Sequence, residues 1–127
     1  MIIKSLKDTA GITAGDASFL RELLHPAKGP LDIGYSLAHA EVGPGQKTLP
    51  HRLKSAEVYY VLEGRGLMHV GDENAEIGEG QAVYIPPGEI QFIENPGPRR
   101  LAFLCIVDPA WTAGDEELLK GPARSST

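Results

Sequence analysis

His51, Glu57, Tyr59 and Gln91 are the side chains of this 127-residue chain whose types and spacing bear most directly on chemistry. His51 offers a ring nitrogen that can act as base or ligand, and Glu57 a carboxyl that accepts or gives a proton. Gln91 offers a neutral amide, and Tyr59 a hydroxyl. Residues two apart on a strand share a face, so His51 and Leu53 point the same way. After a turn at Lys54-Ser55-Ala56, Glu57 and Tyr59 share a face in turn. Gln91 lies beyond Pro86-Pro87-Gly88, where residues of fixed or permissive φ redirect the chain. Any meeting of Gln91 with His51 is therefore tertiary.

The elements that must position these groups are short. The 15 glycines and 10 prolines are spread along the chain, which suits many strands joined by tight turns. Between the breaks lie apolar, β-branched or aromatic runs at 33–42, 58–62, 67–70, 75–77, 82–85, 90–94 and 101–107. Their regular spacing predicts a β-sandwich or barrel. The flanks are ambiguous. Phe19, Leu20, Leu23 and Leu24 fit either a short amphipathic helix capped by Asp16 or an extended edge strand. Residues 114–120 read as one or two helical turns, and 124–127 as a frayed end.

Two runs carry a family resemblance. One goes from Gly45 through His51 and Glu57 to Gly64; the other goes from Gly80 through Pro86 and Gly88 to Asn95. Together they resemble the two motifs of the cupin family. The resemblance implies an all-β fold, the cupin double-stranded β-helix or jelly-roll barrel, over residues 31–108. Residues 1–30 would be an N-terminal extension, part of the same domain or a dimer contact, and 109–127 a C-terminal extension. In that family the glycines and proline shape turns, while three histidines and a glutamate bind a metal in the barrel mouth. By analogy His51 and Glu57 occupy ligand positions, whereas Leu53 and Gln91 stand where histidines usually do.

The resemblance thus implies a divalent metal (Zn, Fe, Mn, Ni or Cu) held by His51, Glu57 and Gln91, with Glu57 and Tyr59 acting on the substrate. Imidazole and carboxylate are strong donors to such metals, an amide oxygen is a weaker one, and Leu53 gives nothing. Plainer roles stand beside these. His51 can be a hydrogen-bonded residue, Glu57 can pair with Arg52 or Lys54 at the rim, Gln91 can be a bonded core amide, and Tyr59 a packed aromatic. His39 and His69 are expected to face away from the site, and Cys105 to be a small buried hydrophobe.

Composition narrows the function classes. With a net charge of −5 and no basic cluster beyond Arg99-Arg100, a nucleic-acid groove or an anionic membrane surface is not expected. A single cysteine excludes an intramolecular disulfide. No apolar run reaches membrane-spanning length and the first residues lack a leader-like core, so a cytoplasmic protein is expected. Two functions follow. One is a metal-dependent enzyme, a dioxygenase, isomerase, lyase or decarboxylase, acting on a small polar metabolite. The alternative is a non-catalytic module that binds a carbohydrate or organic acid. A homodimer is expected by analogy.

Overall fold

Each run that Gly and Pro mark off between residues 33 and 107 contains a strand in the computed structural model, which describes residues 1–119. The strands are β1 (Ile12–Thr13), β2 (Phe19–Leu24), β3 (Ser36–Val42), β4 (His51–Leu53), β5 (Ala56–Glu63), β6 (Arg65–Val70), β7 (Glu73–Gly78), β8 (Ala82–Ile85), β9 (Gln91–Glu94), β10 (Leu101–Asp108) and β11 (Glu116–Leu118). One antiparallel sheet has the order β1-β2-β3-β10-β5-β8, and the other β11-β4-β9-β6-β7. The fold is all-β, a jelly-roll barrel of two sheets. Among the described residues no helix is long and apolar enough to cross a membrane.

The ambiguous N-terminal stretch resolves as a strand. β2 runs antiparallel to β3, with Leu20 opposite Ala40 and Glu22 opposite Ala38. The physical reason is the edge of β3: its backbone groups on the side away from β10 need partners, and β2 supplies them. Asp16 is accordingly no helix cap. Its Oδ1 accepts from the Ser18 amide at 3.0 Å and the Ser18 hydroxyl at 2.7 Å, which folds the chain into a turn ahead of β2. Near the other end, a 3₁₀ turn at Ala113–Asp115 gives way to β11, which pairs with β4. Lys120 and residues 124–127 lie outside the described residues.

Side-chain size divides the interior into a filled end and a hollow end. Val42, Val61, Met68, Ile93 and Leu101 are buried against one another where β5 turns into β6. Moving along β3 and β10, the inward residues become smaller: Ala40, Ala38 and Ser36 on one strand, Cys105 on the other. Small side chains cannot close the gap between the sheets, and a cavity remains at that end.

The turns at the filled end fix the registers. Asn95 is buried, donates from its side-chain nitrogen to the Val42 and Arg99 carbonyls, and accepts from the Gly97 amide at 2.8 Å. Gly64, between β5 and β6, has φ +84°, and a Cβ there would overlap the Arg100 carbonyl oxygen. Gly64→Ala is expected to destabilise the protein by at least about 1–3 kcal/mol, the cost of left-handed strain before any clash. Urea unfolding with an unchanged m-value checks this; a midpoint equal to the parent would refute it.

Candidate functional site

The hollow end is a cavity of about 460 Å³, within the range of small-molecule pockets. Its wall includes His51 and Leu53 from β4, Glu57 and Tyr59 from β5, and Phe103 from β10. The strand alternation read from the sequence explains the placement. In β5 the inward residues are Glu57, Tyr59 and Val61, and in β4 they are His51 and Leu53.

His51 and Gln91 are cross-strand neighbours on β4 and β9. Gln91 then reaches across the interior to the other sheet. Its Nε2 donates to Glu57 Oε1 at 2.8 Å, and its Oε1 accepts from the Tyr59 hydroxyl at 2.9 Å. Tyr59 packs tilted against Phe103 with ring centroids 4.4 Å apart. All three polar side chains are buried. Gln91 stands behind Glu57 and Tyr59 and is not part of the cavity wall; both ends of its amide are engaged.

Burial dominates the electrostatics. It pushes the Glu57 carboxyl up from 4.5 to about 8, against the hydrogen bond from Gln91, and the carboxylates of Asp16 and Glu116 add to the rise. Burial likewise pushes the Tyr59 hydroxyl and the Cys105 thiol well above their ordinary ranges, so neither is an anion at neutral pH. Glu57 therefore holds its proton near neutrality, on a cavity wall.

His51 is 3% exposed. Its Nδ1 lies 2.8 Å from the Leu49 carbonyl oxygen, which can only accept, so Nδ1 carries the hydrogen. Nε2 faces Asp16 Oδ2 at 3.8 Å, too far for a hydrogen bond. The turn holding Asp16 is tied to this site by the Leu49 amide, which donates to the Asp16 carbonyl at 2.7 Å. Glu116 comes from β11 and accepts from the Trp111 indole at 3.2 Å; both residues line the cavity.

The four sequence-derived residues are thus brought together, in two different ways. His51, Glu57 and Tyr59 face the cavity, while Gln91 positions two of them from behind. Glu57 does not join Arg52, which bonds to Glu117 at the surface instead. His39 is buried on the outer side of β3, away from the cavity. His69 lies on the outer side of β6, stacked on Phe92 and bonded to Glu94 at 2.6 Å. Asp16, Glu116 and Trp111 were missed as site residues. Nothing local in sequence marks them, because they enter through strand pairing of the flanks. As placed, the donors do not form the expected metal cradle: Leu53 has none, the Gln91 amide is bonded at both ends, and no group of three His, Cys, Asp or Glu among the described residues is placed to hold a metal.

Fold and site together define a small two-sheet β-barrel with a ligand-sized cavity at one end. Residues 38–107 match the cupin-domain model, and the chain belongs to the cupin family. It is 45% identical over 108 residues to an uncharacterised protein of Methanocaldococcus jannaschii, a match spanning 83% of this chain and 84% of that one. It is 40% identical over 67 residues to a dimethylsulfoniopropionate lyase of Ruegeria pomeroyi, covering 53% of this chain but only 43% of the lyase. Among solved structures, the polyketide cyclase RemF of Streptomyces resistomycificus superposes with a TM-score of 0.79 at 22% identity over 95% of this chain and 87% of that one. That last likeness is one of fold alone.

The raised carboxyl gives a signed pH dependence. Between about 4.5 and about 8 the folded state holds a proton at Glu57 that the unfolded state has lost, so this residue's contribution to stability falls as pH rises and levels off above 8. His39, lowered by burial, works in the opposite direction below 6.5. The readout is therefore the difference between wild type and Glu57→Gln, measured in chelator. Glu57→Gln is expected to gain relative stability across the window, reaching on the order of a few kcal/mol at its upper end. Parallel stability curves would count against a buried, protonated Glu57.

Proposed function

We propose that the barrel binds a small molecule in the cavity and exchanges a proton with it, without requiring a resident metal. The observation that carries this reading is the buried Glu57–Gln91–Tyr59 hydrogen-bond chain, opening on the cavity beside His51. Gln91 occupies Glu57 Oε1, which leaves Oε2 to hold the proton toward a bound molecule. Tyr59 fixes the Gln91 amide and so the orientation of the carboxyl. His51 Nε2, with its other nitrogen held by Leu49, supplies a lone pair on the same wall. An acid and a base held at one pocket suit proton transfer at a carbon or oxygen next to a carbonyl or hydroxyl, the chemistry of isomerases and lyases. The partial likeness to a lyase agrees with this class and supplies no substrate.

A fragment library of small polar molecules, screened by thermal shift in chelator, tests the pocket. Stabilising members are expected, with the effect lost in Ala38→Phe, which fills the cavity. A screen without stabilising members, or with stabilisation equal in both proteins, overturns the reading.

A divalent metal on His51, Glu57 and Gln91 is the second reading. One observation favours it: the Nδ1 bond to the Leu49 carbonyl leaves Nε2 as a free donor, the usual second contact of a metal-bound histidine. It requires the Gln91 carbonyl oxygen, which now accepts from Tyr59, to turn to the metal. Elemental analysis of purified protein separates the two. Stoichiometric metal lost in His51→Ala supports the metal; negligible metal in both supports the metal-free pocket.

A second copy of the chain is the proposed partner. Tyr60, Leu62 and Tyr84 stand 41%, 43% and 64% exposed on the outer side of β5 and β8, an apolar face rimmed by the Arg100–Glu63 ion pair at 3.0 Å. Sedimentation is expected to give a dimer that Tyr60→Glu weakens; a wild-type monomer at high concentration would sink this.

A further inference from the structure

We infer that the cavity takes an organic ammonium ion, a small amine with an apolar body, in preference to a carboxylate. This rests on the pocket reading above and adds the charge class of the ligand. The first support is a mismatch of acceptors. The Leu49 carbonyl holds a hydrogen on His51 Nδ1, so in the ring that carries one hydrogen Nε2 is an acceptor. Asp16 Oδ1 is taken by both Ser18 donors, which leaves Oδ2 facing Nε2 across 3.8 Å. Two acceptors then confront each other with no hydrogen bond between them, and the His51 side chain is only 4% exposed. A group with several hydrogens satisfies both at once, and an ammonium has three donors.

The charge balance gives the second support. The wall carries the carboxyl groups of Asp16, Glu57 and Glu116 around His51. Among the described residues Lys28 is the sole Lys or Arg on the wall; it lies 2.6 Å from Glu22 and is 68% exposed, so it is already neutralised at the rim. A carboxylate entering this space would lose its water and meet like charge, with no free cation among the described residues. An ammonium loses its water and meets Asp16 and Glu116. Beside these groups Leu20, Ala40, Phe103 and Val107 form an apolar wall for the rest of the molecule.

Three probes of similar shape separate the charge class from the pocket itself: phenethylamine, 2-phenylethanol and phenylacetate, titrated calorimetrically at neutral pH in chelator. The amine is expected to bind best and the carboxylate not measurably. Asp16→Asn, which keeps the Oδ1 bonds to Ser18, and Glu116→Gln, on an exposed short strand, are each expected to weaken the amine by about tenfold while sparing the alcohol. Phenylacetate binding as tightly as the amine, or amine binding unchanged in both variants, overturns the ammonium assignment. Where that binding is still lost in Ala38→Phe, the pocket reading survives. Binding by none of the three probes also overturns the assignment, and the fragment screen then decides the pocket independently.

Discussion

The hydrogen-bond bridge from Gln91 to Glu57 and Tyr59 is the constraint on which this end of the molecule depends. It joins the two sheets through polar atoms that are buried, where an unpaired donor or acceptor costs about 1–3 kcal/mol. Such a bridge is directional in a way apolar packing is not. A one-residue slip of β5 or β9 would turn Glu57, Tyr59 or Gln91 out of the interior and leave its partners orphaned. The bridge therefore fixes register as well as holding the sheets together. It also sets the chemistry, because the same desolvation that makes the bond strong keeps the carboxyl protonated.

The cavity depends on what surrounds the bridge. Large aliphatic side chains close the barrel beyond Tyr59 and Phe103, and alanine, serine and cysteine leave it open on the near side. The open side is then walled by the chain's flanks. β2 covers the edge of β3 and brings the Asp16 turn against His51, while β11 covers the edge of β4 and brings Glu116 and Trp111. Edge protection and site construction are one event here: the strands that satisfy exposed backbone groups also deliver the acidic side chains.

How far the sequence could be read follows from the range of the forces involved. Turns and strands are local, so Gly64, Gly80, Pro86 and Gly88 marked the barrel's punctuation well; alternation put His51 and Leu53 on one face, and the family resemblance turned His51 and Glu57 inward. The 16–24 stretch was undecidable because Phe19, Leu20, Leu23 and Leu24 satisfy two periodicities; the unpaired edge of β3 decided it, and that is a tertiary fact. Gln91 was read as a ligand candidate from its motif position. Its actual neighbours, one on β5 and one two residues further along the same strand, are set by inter-sheet packing that no local pattern encodes. Asp16 and Glu116 were illegible for the same reason.

Leu53 and Gln91 make sense as a pair once charge is considered. A buried carboxyl among other carboxyls must be compensated, and a divalent cation held by several histidines is one way to do so. With Leu53 and Gln91 in place of two histidines, the cradle that would hold the cation is dismantled, and on the metal-free reading a proton on Glu57 supplies the missing positive charge. The two residues act on that proton in opposite directions, and burial wins. Leu53 removes a donor and dries the wall, which raises the cost of an ionised carboxylate. Gln91 occupies one carboxyl oxygen with a neutral donor, whose bond lowers the Glu57 pKa less than burial raises it. On that reading the site is a protonated acid beside an imidazole rather than an incomplete metal centre.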